Sequence, residues 1–264
     1  MNFSRLNPDT PIEEYYAGHI KVAVKRDDLY GAYPAPPLAK LRGASVLLTE
    51  LKAQGITTIG VIDTRVSKAG QGIAYICSEL GLKCIVGFPL AKGYSPEQPK
   101  LIAQSLGATL YPLVAGRFGI CYARFKKYIE SQDGHMLPLG LTCSETVKAI
   151  AAEVTKVASL YRTIVVCTGT GTIATGLALG APTALVYGIS CGMSITQQRH
   201  RINLLAYPNL LGNLILVPSA HNYYDIIDSC PFPAHPYYDT KAWEWLVNNA
   251  HKLEKPILFW NIGA

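Results

Sequence analysis

A chain of 264 residues, 49% of them hydrophobic and 16% charged, carries enough apolar material for a substantial core, which excludes disordered and collagen-like classes. Its formal charge of +6 is a mild basic excess that suits an anionic ligand or a polyanion without requiring either. No apolar run reaches the length of a membrane span and the start "MNFSRLNPDT" has no signal-peptide core, so a soluble, cytoplasmic protein without membrane contact is expected.

In chain order, the first distinctive stretch is "KRDDLYGAYPAPPLAKLRG". Lys40 follows a Pro-rich loop and precedes the predicted helix "LRGASVLLTELKAQG", so its rigid neighbours fix its direction, although a helix-start lysine that only solvates is the plainer reading. Strand and helix patterns then alternate: strand "TTIGVID", helix "SKAGQGIAYICSELG" with a Gly stop, strand "KCIVGFP", helix "PEQPKLIAQSLG", strand "ATLYPL" and helix "ARFKKYIESQDG". After "MLPLGLTCS" come helix "SETVKAIAAEVTKVAS", strand "RTIVV", a Gly/Thr turn, strand "ALVYGIS" and helix "ITQQRHRINLLA". A proline-broken loop, an amphipathic helix and the apolar strand "PILFWNIGA" end the chain. Such alternation builds parallel sheets with crossover helices, here one α/β body of two lobes: a small lobe over 44–143 and a larger one from 1–43 and 144–264. The cysteines Cys77, Cys84, Cys121, Cys143, Cys167, Cys191 and Cys230 stand singly, with no Cys-x-x-Cys pair, and read as reduced core thiols rather than a disulfide framework or a metal site.

The turn "CTGTGTIATGLALG" joins an apolar strand to a helix rich in small residues. Backbone N–H groups and hydroxyls at a helix N-terminus bind a phosphate without a formal cation, and Thr168, Gly169, Thr170, Gly171 and Thr172 supply such donors. A Cβ at Gly169 or Gly171 would fill the anion's space. No Gly-Lys-Ser/Thr follows, so this is not a Walker loop. Gly169, Gly171 and Gly176 approach the dinucleotide fingerprint without spelling it, and a strand-to-helix turn with no ligand is the remaining reading.

Taken together and in order, these segments resemble the fold type II pyridoxal-phosphate enzymes, the tryptophan synthase β-like group, nearest to the aminocyclopropane-carboxylate deaminase and D-cysteine desulfhydrase branch. "KRDD" resembles that branch's Lys-Arg-Glu/Asp-Asp opening, and "LAKLRGASVLL" its Asn-Lys-x-Arg-Lys segment, which implies that Lys40 takes the cofactor covalently. "RVSKAGQGIAYICSELGLKCIV" is similar to the Ser-Asn-Gln turn and its helix, with Ser67 at the serine, which implies a catalytic role for Ser67. "CTGTGTIATGLALG" matches the phosphate-cradling loop, "HPYYDTKAW" the Asp-Pro-Val-Tyr-x-x-Lys-Ala motif with Tyr238 at the tyrosine, and "ILFWNIGA" the terminal His-Thr-Gly-Gly strand. The resemblance covers about Lys25 to Ala264 and implies two lobes, each a largely parallel sheet flanked by helices, with pyridoxal 5'-phosphate as cofactor and a homodimer as assembly. The chemistry agrees, since an aldehyde cofactor needs a primary amine and burial lowers a lysine's pKa enough to make it nucleophilic.

The sequence also departs from the family pattern. Lys68 stands where the family has the Asn that hydrogen-bonds the ring hydroxyl; it either stabilises the phenolate or swings out to solvent. Ala69 replaces Gln, and Asn261 with Ile262 replaces His-Thr, which removes the hydroxyl expected beside the pyridine nitrogen and leaves Asn261 as the cofactor-binding residue implied at that position. The chain stops just past its last strand, from which a more open site is expected. Openness and a basic surface resemble the bacteriophage branch that decarboxylates amino-acid-modified (glycinyl- or seryl-type) thymidine in DNA, which implies a host-cytoplasm setting. A duplex-embedded base would have to flip outward to reach Lys40, and Tyr238 and Tyr33 are the aromatics expected to stack on it. The other reading is a lyase or deaminase acting on a small free amino acid such as D-cysteine or aminocyclopropane carboxylate; a non-catalytic protein keeping only the fold is the third.

Overall fold

The computed structural model describes residues 8–31, 35–36, 38–64, 67–90, 95–114, 116–209 and 211–263. The chain divides into two compact units, one of residues 1–30, 37–43 and 142–264 and one of residues 31–36 and 44–141.

The larger unit is built on a six-stranded sheet. Its strands are β1 (Ile12–Ala17), β2 (Ile20–Arg26), β7 (Thr163–Thr168), β8 (Leu185–Ser190), β9 (Leu214–Pro218) and β10 (Ile257–Asn261), in the order β1-β2-β10-β7-β8-β9. β1 and β2 form an antiparallel hairpin, while all other pairings are parallel. The residues of β7 and β10 are all buried, as continuous apolar runs in the middle of a parallel sheet must be. Parallel pairing aligns the carboxyl ends of β2, β10, β7, β8 and β9 along one edge of the sheet, where ligands of open α/β sheets collect.

Helices α5 (Ser144–Thr155) and α6 (Thr172–Gly180) pack in backbone contact beside this sheet. A Cβ on Gly176 would come within 2.8 Å of the Val147 carbonyl oxygen, and one on Gly180 within 2.3 Å of that of Ala151. Part of the small-residue content after the turn therefore serves helix packing. Helices α7 (Ile195–Ala206) and α8 (Asp239–Asn249) complete the unit. Around α8, Phe232, Trp243 and Phe259 pack edge to face or tilted, with centroids 4.9–5.8 Å apart.

The smaller unit has a four-stranded parallel sheet in the order β5-β4-β3-β6, from β3 (Thr58–Ile62), β4 (Lys83–Leu90), β5 (Thr109–Val114) and β6 (His135–Met136). Helix α1 (Leu41–Ala53) leads into it, and α2 (Ala69–Leu80), α3 (Gln98–Ser105) and α4 (Phe118–Glu130) connect its strands. α4 begins at Phe118, ahead of the expected Ala123, because Cys121 and Phe125 extend its buried face by one turn. Gly60 and Gly87 make room for α4, since a Cβ there would meet the Ile129 and Phe125 side chains at 2.4 and 2.7 Å. The described cysteines are all free thiols. No helix among the described residues is long and apolar enough to cross a membrane.

Candidate active site

Lys40 lies on the turn immediately before α1 and is held from both sides. Ala39 N–H donates to the Ile262 carbonyl at the end of β10 (3.0 Å). Two residues after Lys40, the buried Arg42 donates to Asp27 Oδ1 through Nε (3.1 Å) and Nη2 (2.6 Å). Asp27 also accepts from Thr10 Oγ1 and from Trp260 Nε1 (2.9 and 3.2 Å), so one buried carboxylate ties the lysine's turn to β10. Lys25 and Glu153 pair at 2.6 Å next to this network. A Cβ on Gly43 would fall 2.2 Å from Thr146 Cα, so the first turn of α1 touches the α5 backbone. Desolvation draws the Lys40 pKa down to about 8; the Arg201 charge pushes the same way, and the Cys167 and Cys143 thiols oppose it.

The β7–α6 turn is arranged as a cradle. Gly171 sits at φ +89°, a left-handed conformation that favours glycine, and a Cβ on it would run into the Ile202 side chain at 2.6 Å. A Cβ on Gly169 would meet no protein atom within 4 Å. Of the two glycines, only Gly169 therefore faces open space; Gly171 is required by backbone conformation and by α7, which corrects the expectation that both spare room for an anion. Thr170 and Thr172 hydroxyls lie 2.9 Å apart, and Thr172 donates to Thr142 (3.2 Å). The Thr168 hydroxyl is buried and has no hydrogen-bond partner among the described residues.

Three more groups reach the same carboxyl edge. Asn261 is fully buried; its Nδ2 donates to the Pro233 carbonyl (2.8 Å), while its Oδ1 has no hydrogen-bond partner among the described residues. Asp239, at the start of α8, accepts Ile262 N–H on Oδ1 (3.1 Å) and leaves Oδ2 without a hydrogen bond of ordinary geometry among the described residues. Burial pushes its carboxyl up to about 7. Tyr238 precedes it, with its ring against His235 (4.5 Å) and its hydroxyl 2.5 Å from that of Tyr223. Tyr223 in turn flanks Gly192, whose Cβ would stand 3.2 Å from the Tyr223 ring and 3.9 Å from Gly169 Cα.

The resemblance did not single out Asp239, Tyr223 or the partners of Arg42. An isolated acid inside "HPYYDTKAW" is the one signal that pointed to Asp239. Ser67 and Lys68 belong to the smaller unit. There Ser67 Oγ accepts Ala69 N–H (3.1 Å), and the buried Asp63 accepts Gly70 N–H (3.0 Å) at the start of α2. Lys100 braces the turn through the Thr64 and Ser67 carbonyls (2.7 and 3.3 Å). Lys68 occupies the cap position of α2 without capping it through its side chain. Tyr33 lies outside the described residues.

The family profile described as pyridoxal-phosphate dependent enzyme matches residues 10–190. The chain belongs to the pyridoxal-phosphate dependent enzymes. It is 33% identical to the glycyl-dTMP PLP-dependent decarboxylase of Pseudomonas phage M6, across 97% of this chain and 98% of that protein. Among solved structures, an aminocyclopropane-carboxylate (ACC) deaminase homologue aligns with a TM-score of 0.84 at 20% identity, covering 98% of this chain and 90% of that one. A hydrogen sulfide-producing enzyme from Fusobacterium nucleatum aligns with a TM-score of 0.71 at 17% identity, covering 98% and 94%. These two show the shared fold.

Pyridoxal phosphate fits the residues of the larger unit. It asks for an amine that loses its proton readily, donors for a phosphate, and a partner for its ring nitrogen. Lys40, the cradle at Gly169 with the Thr168 hydroxyl, and the buried Asp239 carboxyl have those properties.

Proposed function

We propose that this chain is a decarboxylase of amino-acid-modified thymidine in DNA, of the glycinyl or seryl type. The observation that carries the reading is the full-length, 33% identity to a phage decarboxylase named for glycyl-dTMP, in a chain whose Lys40 lies on the same sheet edge as the phosphate cradle. When bound, the cofactor supplies an electron sink for the pair left on the substrate α-carbon as carbon dioxide departs. Lys40 would hold the cofactor, and in its ammonium form, which gives up its proton readily, would deliver the proton that replaces the carboxylate on that carbon. Thr168, Gly169, Thr170, Gly171 and Thr172 hold the phosphate through N–H and hydroxyl donors. Asp239, in place of the hydroxyl that the last strand lacks, would partner the ring nitrogen, and Asn261 would hold the strand end beside it. Tyr238, oriented by Tyr223 and His235, borders the substrate.

The test is to incubate cofactor-loaded protein with DNA carrying glycinyl-modified thymidine and to analyse the nucleosides by mass spectrometry. The expected product is lighter by one carbon dioxide and retains the aminoalkyl group. Unchanged DNA together with ammonia and a keto acid from free D-cysteine or aminocyclopropane carboxylate would assign the protein to small amino acids instead.

A further inference from the structure

The longest stretch of this chain without a carboxylate side chain runs between Glu153 and Asp225. It contains the phosphate cradle, β8, α7 and β9. Within it, α7 exposes the Arg199 guanidinium and the His200 ring and half-exposes Arg201, and its sequence "ITQQRHRINLLA" has no acidic residue to neutralise the two arginines. None of these three side chains makes a hydrogen bond or ion pair among the described residues. Exposed cations elsewhere are mixed: Lys21, Lys126 and Lys156 each face a carboxylate, whereas Arg124 and Lys127 on α4 have no ion pair among the described residues, so what distinguishes α7 is its place beside the phosphate cradle. Uncompensated cations gathered on one element form an electrostatic footprint for an anion larger than a single group.

The inner face of α7 is fastened to the site. Gln198, fully buried, donates to Ser190 Oγ (2.6 Å), the Met193 carbonyl (3.2 Å) and the Thr168 carbonyl (3.3 Å), and so binds α7 to the ends of both β7 and β8. Ile202, one turn on, closes over Gly171. The Arg201 charge is felt at Lys40. The cations are therefore held rigidly beside the edge that carries the lysine, and are not scattered over a remote face.

We propose that α7 is the docking surface for the sugar-phosphate backbone of the strand whose modified thymidine enters the site. Arg199, His200 and Arg201 stand against phosphates, and Ser194, Thr196 and Gln197 at the helix N-terminus supply neutral donors. This combination of guanidinium, hydroxyl, amide and helix-end donors is the one that positions nucleic-acid backbones. The assignment rests on the DNA reading above. A second copy of the chain is disfavoured as occupant, since a two-fold contact through α7 would set like charges against each other. An acidic protein face is the competing partner.

The experiment measures binding of cofactor-loaded protein to a labelled duplex of unmodified DNA by fluorescence anisotropy over a salt series. Removing the cation that neutralises one phosphate lowers the slope of log affinity against log salt by about one. Arg199→Gln and Arg201→Gln should each show this drop, while Lys126→Gln, a charge removed from the smaller unit, should leave the slope unchanged. Wild-type slopes in both α7 variants overturn the proposal. So does absence of duplex binding at low salt, or tighter binding of polyglutamate than of the duplex. Arg199 is exposed, so its variant tests the surface even if Arg201→Gln disturbs Lys40, and the cofactor absorbance of each variant reports such disturbance. Unmodified DNA cannot be turned over. Decarboxylation with α7-independent binding therefore refutes the surface alone, and α7-dependent binding without decarboxylation refutes the reaction alone.

Discussion

Thr168→Val separates the phosphate cradle from ordinary packing because it should move the cofactor-free and cofactor-loaded protein in opposite directions. The Thr168 hydroxyl is buried at the end of β7 and has no hydrogen-bond partner among the described residues. Leaving such a group unsatisfied costs about 1–3 kcal/mol, and valine has nearly the same shape without the polar atom. Cofactor-stripped Thr168→Val should therefore melt higher than the stripped wild type, by about 2–4 °C for each kcal/mol recovered in a chain of this size. With the cofactor bound, the same substitution removes a hydrogen bond to a charged phosphate, about 1.5–3 kcal/mol. Affinity falls by the sum of the two changes, about 2.5–6 kcal/mol, or roughly a hundredfold to ten-thousandfold at 1.4 kcal/mol per tenfold. Thermal unfolding of both forms and cofactor content after dialysis against graded cofactor concentrations give the two quantities. If both forms shift in the same direction, or affinity is unchanged, Thr168 does not serve the phosphate.

Gly169→Ala should leave stability within about 0.5 kcal/mol yet reduce cofactor retention, whereas Gly171→Ala should destabilise the chain itself by about 1–3 kcal/mol through its positive φ and the Ile202 contact; equal stability losses on chemical denaturation would refute the distinction. Lys40→Ala should give a folded chain that holds no cofactor covalently, and borohydride reduction of the wild type followed by peptide mapping should mark Lys40; a label on another lysine sinks the assignment. Because desolvation lowers Lys40 from 10.5 to about 8, covalent capture of added cofactor should accelerate as pH rises through about 8 and then level off. Between those two values the unfolded chain binds the extra proton, so the same group makes stability rise with pH there. Asp239 acts with the opposite sign: its pKa is raised from 3.8 to about 7, so the cofactor-free chain should lose stability as pH climbs through that window. Asp239→Asn should flatten that loss in pH-dependent denaturation, and an unchanged profile would show that Asp239 does not titrate there. Arg42→Met, which strips the buried Asp27 of its cation, should cost about 3–5 kcal/mol by urea unfolding; a loss under about 1 kcal/mol would mean that the Arg42–Asp27 pair does not hold the lysine's turn.

The sequence by itself determined the alternation of strands and helices, because fully buried strands such as β7 and β10 must be continuous apolar runs and the helices between them end at turn residues such as Gly81. It also determined the strand-to-helix turn at Thr168–Thr172, since only small residues and hydroxyls allow a backbone to crowd there. The hairpin strand β1, half exposed, and the two-residue β6 have no periodicity long enough to read from local sequence, and only pairing with β2 and β3 makes them strands. Strand order is likewise non-local: β10, the last strand, lies between β2 and β7, and that insertion brings Ile262 to Ala39 and Trp260 to Asp27. Asp239 shows the same dependence. Nothing in a motif of small and aromatic residues states that its carboxyl will be buried with one oxygen bonded to Ile262, because desolvation is a property of what the fold packs around a group. Gly169 and Gly171 look equivalent in "GTG", yet the tertiary structure alone decided that one faces open space and the other faces Ile202, since a side chain's surroundings are set by elements that arrive later in the chain.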